Sequence, residues 1–200
     1  MERWGIIGGT FDPIHLAHIY IAKEAKEKLN LQKIIFMPAG SPPHKTNKRI
    51  TEASLRLKMV EAAIEGMEGF DVSDYEIKKQ GMSYTYKTLE HFHKLNKEIY
   101  FITGADCLIN LEKWKNVDKI FEYSKFVVLT RPWIGNKELL NQKHKIENKY
   151  NGKIIFLNIE GKDMSSTEIR NVIKNGEGLD KYLPKPVIKI IEDEKLYRGI

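Results

Sequence analysis

Two hundred residues, 42% of them hydrophobic, 10% aromatic and 30% charged, are enough to bury a core and exclude intrinsic disorder. The single Cys107 excludes an intramolecular disulfide framework, and no run approaches the roughly 20 apolar residues of a membrane span. The net charge of +6 admits phosphate-bearing partners, but Lys23, Lys26 and Lys28 alternate with Glu24 and Glu27, which reads as a solvated helix face. No nucleic-acid partner and no membrane partner is expected, and self-association into a homo-oligomer is left open. Met1-Glu2-Arg3-Trp4 lacks the layout of a signal peptide, so a cytoplasmic location is expected.

Short apolar runs then alternate with helical patterns. Trp4–Gly8 reads as a buried strand, followed by a helix from about Pro13 to Leu29, with His18, Ile19, Ala22, Ala25 and Leu29 on one face. Lys33–Met37 is the second strand. A Pro- and Lys-rich loop over Pro38–Ile50 leads to a helix over Glu52–Glu65. Phe70–Val72 is a weak strand, Tyr84–Leu95 a helix, Glu98–Thr103 a strand and Lys125–Thr130 another. Lys137–Lys149 reads as helix, Lys153–Leu157 as strand and Ser166–Lys174 as helix, and Pro186 opens a last helix. This alternation predicts one α/β domain over residues 1–200, a doubly wound, Rossmann-like fold with a mainly parallel sheet. Ligands of such folds sit beyond the carboxyl ends of the strands, where strand order reverses.

The residues after the first strand carry the densest chemistry. In Gly8-Gly9-Thr10-Phe11-Asp12-Pro13-Ile14-His15-Leu16-Ala17-His18, two glycines allow a tight turn and close approach of a ligand. The following helix start offers unpaired N–H groups to a phosphate, and His15 and His18 fall on one side of its first turn. Neither the dinucleotide fingerprint nor the P-loop is present, so a mononucleotide held by histidines fits better. A zinc pair fits poorly, because the metalloprotease arrangement needs histidines at i and i+4 with a Glu between them.

A second phosphate-suited helix start lies far along the chain. Ser165 and Glu168 form a capping box, Asn175-Gly176 closes the helix, and Ser166, Thr167 and Arg170 can clamp a phosphate. Between the two, Pro42-Pro43-His44-Lys45 puts a polar ring and a cation on a stiffened loop, and Gly104-Ala105-Asp106 ends a strand with an acid suited to ribose hydroxyls. Cys107 reads as a small core residue, and Trp114 offers an indole that can stack on a flat ring.

Together these segments resemble the nucleotidyltransferase superfamily marked by a histidine pair, and within it the bacterial nicotinate-nucleotide adenylyltransferases. The likeness runs nearly the whole length and includes Thr130-Arg131-Pro132. Three positions depart from the family pattern: Ala17 where glycine is usual, Lys115 where tyrosine often follows the tryptophan, and Trp133 where glycine is usual. The resemblance implies transfer of AMP from ATP to nicotinate mononucleotide, giving deamido-NAD and pyrophosphate, with Mg²⁺ carried on the ATP phosphates. It implies His15 and His18 as catalytic residues and Gly8, Gly9, Thr10, Phe11, Lys45, Gly104, Asp106, Arg131, Ser166, Thr167 and Arg170 around ATP. It places His44, Lys45, Tyr84, Thr85, Thr88 and Trp114 around nicotinate mononucleotide, with no protein-held metal. A pocket without Asp or Glu among Tyr84–Thr88 and Trp114 is expected to prefer the acid over the amide. Rival readings are a pantetheine-phosphate adenylyltransferase, a nicotinamide-mononucleotide enzyme and an RNA-binding module.

Overall fold

The computed structural model of the chain describes residues 1–41, 50–79, 81–130, 137–160, 164–176 and 178–198. The first half runs β1 (Arg3–Gly9), α1 (Leu16–Lys28), β2 (Lys33–Pro38), α2 (Ala53–Ile64), β3 (Phe70–Val72), α3 (Tyr75–Lys78) and α4 (Thr85–His93). The second runs β4 (Glu98–Gly104), α5 (Ala105–Ile109), a 3₁₀ turn (Leu111–Lys113), α6 (Val117–Tyr123), β5 (Lys125–Thr130), α7 (Lys137–Tyr150), β6 (Ile154–Asn158), α8 (Ser166–Asn175) and α9 (Lys185–Asp193). The strands form one six-stranded sheet in the order β3-β2-β1-β4-β5-β6, parallel throughout. Strand order reverses between β1 and β4, which makes the carboxyl ends of those two strands the ligand crevice.

Pleating sorts the strand residues onto two faces. Ile34, Phe36, Tyr100, Ile102 and Val127 join a core with α1, α2, α8 and α9. Their neighbours Ile35, Met37, Phe101, Phe126 and Val128 join the opposite core, with Leu89 and Phe92 of α4, Ile120 of α6 and Ile146 of α7. Each fully buried Ile or Phe stabilises by roughly 1.5–3 kcal/mol, so both faces need cover and neither can be left to water. Buried small residues let α1 lie close on the sheet: Ala17, Ala22 and Ala25.

Two expectations are corrected, and four short elements are added. The first helix starts at Leu16 rather than Pro13, because residues after β1 must reverse direction before they can coil. The reversal does not use the glycines: Gly8 and Gly9 still belong to β1, and the left-handed residue is Phe11, at φ 48°. Gly9 serves close approach instead, since a Cβ there would stand 2.8 Å from the Phe11 ring, whereas one on Gly8 would make only ordinary contact with Phe101 at 3.6 Å. The short elements α3, α5, α6 and the 3₁₀ turn lie where the sequence shows no periodicity long enough to mark a helix.

Candidate active site

The loop from Thr10 to His15 crosses the carboxyl end of β1 and hands the chain to α1. His15 is the N-cap, with extended backbone at φ −143°, and His18 is the third residue of the helix. The His18 N–H donates to the His15 carbonyl at 2.9 Å, and the His15 N–H donates to His18 Nδ1 at 3.3 Å. An Nδ1 that accepts leaves the proton of neutral His18 on Nε2, which is the donor such a ring can offer a ligand. The two rings stack with centroids 3.6 Å apart, and the edge of Phe11 closes on His18 at 5.0 Å.

This packing sets the charge. Burial pushes His15 down to about 4, and burial, then the neighbouring His15, hold His18 well below the ordinary imidazole range. Both rings are therefore neutral in the free protein at pH 7. His15 is 4% exposed, and its Nδ1 has no hydrogen-bond partner among the described residues. Unsatisfied buried nitrogens are rare, and functional sites are where they are retained.

A frame of hydrogen bonds grips the loop from three directions. From α2, Arg56 donates through Nη1 to the Thr10 carbonyl at 2.7 Å, through Nη2 to Ala39 at 2.7 Å and through Nε to Thr51 at 2.9 Å. From α8, Ser166 Oγ donates to the Pro13 carbonyl at 3.0 Å, and Arg170 Nη1 donates to the Asp12 carbonyl at 2.7 Å. From the C-terminal segment, the Tyr197 hydroxyl donates to Asp12 Oδ1 at 2.6 Å. The two phosphate-suited helix starts read from the sequence are thus one assembly. A cavity of about 860 Å³ opens beside it, with Asp12, Thr51, Thr167, Arg170 and Tyr197 on its wall.

The other sequence-designated residues take distinct places. Ser166 has its one proton on Pro13, whereas Thr167 accepts from Arg170 Nη2 at 3.1 Å and keeps its own proton to donate. The capping box of Ser165 and Glu168 is formed, and Gly176 closes α8 at φ 71°. Phe11 is 2% exposed, so its ring is a wall for His18. Asp106 is exposed at the first turn of α5, and a Cβ on Gly104 would stand 2.6 Å from its Oδ1. His44, Lys45 and Arg131 lie outside the described residues.

Tyr84, the N-cap of α4, and Trp114, at the end of the 3₁₀ turn, are both half-buried. Lys115 joins their segments, its ammonium standing 5.0 Å from the Tyr84 ring centre. Trp114 packs edge-on against Phe101 and Phe126 at 6.2 and 6.5 Å. Thr88 is buried at the foot of this region, and its hydroxyl donates to Glu76 Oε1 at 2.6 Å. The Tyr84–Thr88 segment itself carries no acid, but the fold brings Glu76 of α3 against it. Burial pushes the Glu76 carboxyl up, opposed by the Thr88 hydrogen bond.

The cytidylyltransferase-like family matches residues 6–172. A chain from Clostridium botulinum strain Alaska E43, named probable nicotinate-nucleotide adenylyltransferase, is 56% identical over 198 residues, covering 99% of each chain. One of the same name from Clostridium beijerinckii is 53% identical over 204 residues, covering 99% of this chain and all of its own. The chain belongs to the nicotinate-nucleotide adenylyltransferases. The same fold is seen in the Plasmodium falciparum nicotinic acid mononucleotide adenylyltransferase complexed with NaAD, with a TM-score of 0.77, 22% identity and 98% of each chain covered.

For an adenylyltransferase of this family, sequence reasoning missed the residues that hold the histidine loop. Arg56 carries a signal in retrospect, since it stands at helical spacing with Met59, Val60 and Ile64, all on the buried face of α2. A charged residue at a core position marks a polar network. Tyr197 carries none, because 185 residues separate it from Asp12. Cys107 is half-buried, and burial pushes its thiol up, away from nucleophile chemistry.

Arg170→Lys keeps the charge but cannot span the Asp12 carbonyl and the Thr167 hydroxyl at once. Charge-assisted hydrogen bonds of this kind contribute about 1.5–3 kcal/mol, so kcat/KM for ATP should fall at least about tenfold. Steady-state kinetics beside a melting curve check it; unchanged ATP kinetics would remove Arg170 from the site.

Proposed function

We propose that the chain transfers AMP from ATP to nicotinate mononucleotide, with His15 and His18 at the reacting phosphate. The observation that carries this reading is the histidine pair, stacked at 3.6 Å and held at the carboxyl end of β1, where strand order reverses. The phosphate oxygen of the mononucleotide bonds to the α-phosphorus, and the bond to the bridging oxygen breaks, releasing pyrophosphate. That oxygen is already anionic at neutral pH, so no general base is needed. Holding two polyanions in line and stabilising the charge spread over the α-phosphate is the main task. His18 Nε2–H meets the α-phosphate as a fixed donor. Thr167, Arg170 and the N-terminal amides of α8 restrain the β- and γ-phosphates. Gly104 and Asp106 are assigned to the adenosine side, and the family resemblance adds Lys45 and Arg131, which lie outside the described residues, as phosphate-binding residues.

Magnesium would arrive on the triphosphate, where it would supply charge neutralisation of the phosphate oxygens. The donor set favours this route: both Asp12 carboxylate oxygens already accept hydrogen bonds, from Tyr197 and from the Thr51 N–H.

Nicotinate mononucleotide lies with its ring toward Trp114 and its carboxylate toward Thr85 and the backbone N–H groups near Tyr84. Nicotinamide has nearly the same shape, so donors must discriminate. Glu76 already accepts the Thr88 proton at 2.6 Å, so an amide facing the remaining donors leaves its NH₂ unsatisfied at about 1–3 kcal/mol, and kcat/KM should favour the acid by about tenfold. Trp114→Ala should weaken both acceptors together, and Thr85→Val should weaken the acid selectively. The deciding assay presents ATP with nicotinate mononucleotide, nicotinamide mononucleotide and phosphopantetheine in parallel and follows pyrophosphate. No release with nicotinate mononucleotide refutes the reaction, and equal efficiencies with acid and amide refute only the pocket.

A further inference from the structure

The C-terminal segment makes two long-range bonds to the histidine loop, one on each side of His15. The Tyr182 carbonyl accepts from the Leu16 N–H at 2.8 Å, at the first residue of α1. The Tyr197 hydroxyl donates to Asp12 Oδ1 at 2.6 Å, three residues before His15. Asp12 is 6% exposed, so its carboxylate is a charge taken out of water, and such a charge persists only where hydrogen bonds hold it. The Thr51 N–H supplies the other bond, to Oδ2 at 3.3 Å.

Tyr197 is itself held in a conformation that a free chain avoids. Its backbone lies in the left-handed region at φ 61°, as does Lys195 at φ 50°. Residues without special cause rarely adopt that region, and surroundings that over-determine them are found at functional sites. Here the surroundings are the Leu196 N–H bond to Ile191 at 2.9 Å and the bond to Asp12. Burial first, then Asp12, push the Tyr197 hydroxyl well above its ordinary value, so it stays a proton donor throughout the working range.

We propose that Tyr197 is a positioning residue for AMP transfer: its hydroxyl pins the Asp12 carboxylate and thereby fixes the loop that presents His15 and His18. It touches neither histidine in any hydrogen bond or ring contact among the described residues. It acts through Asp12, whose own carbonyl is the acceptor of Arg170, so one residue sets both the histidine side and the α8 side of the site. Without that bond the carboxylate turns toward solvent, where it repels the triphosphate and frees the turn at Phe11. A small displacement of a reacting group is enough to lower rate strongly. The proposal rests on the adenylyl-transfer reading.

The test compares Tyr197→Phe with Glu194→Ala, which breaks the ion pair to Lys58 and leaves Asp12 alone. Tyr197→Phe should lower kcat about tenfold with either KM changed by less than about twofold. ATP should still bind one site per chain by calorimetry, and the ¹⁵N resonances of the His18 ring should shift in the free protein. Glu194→Ala should leave kcat and those resonances as they were. If Tyr197→Phe does not fold, Asp12→Ala, which removes the acceptor of the Tyr197 hydroxyl, provides the same reading, with a loss of kcat and a shift of the His18 resonances expected. A fall in kcat matched by an equal fall in ATP-binding sites overturns the proposal, as do unmoved His18 resonances. If the unaltered protein releases no pyrophosphate with nicotinate mononucleotide, the reaction reading fails, while the resonances still decide whether Tyr197 positions the loop.

Discussion

His18→Ala should lower turnover by about 100-fold or more and leave the melting temperature nearly unchanged. Removal of one fixed donor to a developing oxyanion has an effect of that size in other enzymes. His18 is suited to the part because its proton sits on Nε2, dictated by the bond from the His15 N–H to Nδ1. The small effect on stability follows from opposing changes. Truncation forfeits the ring contacts with Phe11 and His15 and the long 3.3 Å bond from the His15 N–H, while alanine is the better helix former in the first turn of α1. Turnover and a thermal melt on one preparation check both halves. A large fall in melting temperature with near-normal specific activity would return His18 to a structural role.

Arg56→Ala should do the reverse in order of cause: the fold suffers first, and activity only through it. The side chain is 1% exposed, and its guanidinium donates to the carbonyls of Thr10, Ala39 and Thr51, with a longer bond to Gly40 at 3.4 Å. Burial lowers the affinity of Arg56 for its proton, and nearby Asp12 supports the charge. Alanine would leave at least three carbonyls without their donor, each costing about 1–3 kcal/mol, and a cavity besides. Water entering that cavity can offset part of this, so the expected loss is about 3 kcal/mol or more. For a chain of this length that lowers the melting temperature by roughly 10 °C. Urea unfolding measures it directly, and a loss below about 1 kcal/mol would show that the carbonyls find other partners.

The contrast between these two variants separates what the histidine loop does from what holds it. His15, His18, Ser166, Thr167 and Arg170 were legible in the sequence because short-range spacing announces them: histidines three apart at a helix start, hydroxyls and an arginine behind a capping box. Arg56 and Tyr197 were not, since each acts on a loop that is remote in sequence, and no local pattern records a bond across 46 or 185 residues. Glu76 was hidden for the same reason. It lies on the four-residue helix α3, too short for periodicity, and meets Thr88 of α4 only once the two helices are brought together.

The glycines after the first strand show the limit from the other side. Gly8-Gly9 reads locally as a turn, yet both continue β1, paired with Met37 and Pro38 of β2, and the reversal falls on Phe11. A turn preference is a local free energy of about 1 kcal/mol, and Gly8 and Gly9 gain at least as much by continuing the parallel ladder with β2. The sequence by itself determined the alternation of strands and helices, the parallel sheet and the capped start of α8. Those follow from side-chain periodicity and from hydrogen bonds between near neighbours. Only the tertiary structure decided that the two phosphate-suited helix starts share one loop, that the histidines are neutral and stacked, and that the C-terminal segment holds Asp12. Those depend on burial and on contacts between distant segments, which exist only once the sheet has brought its carboxyl ends together.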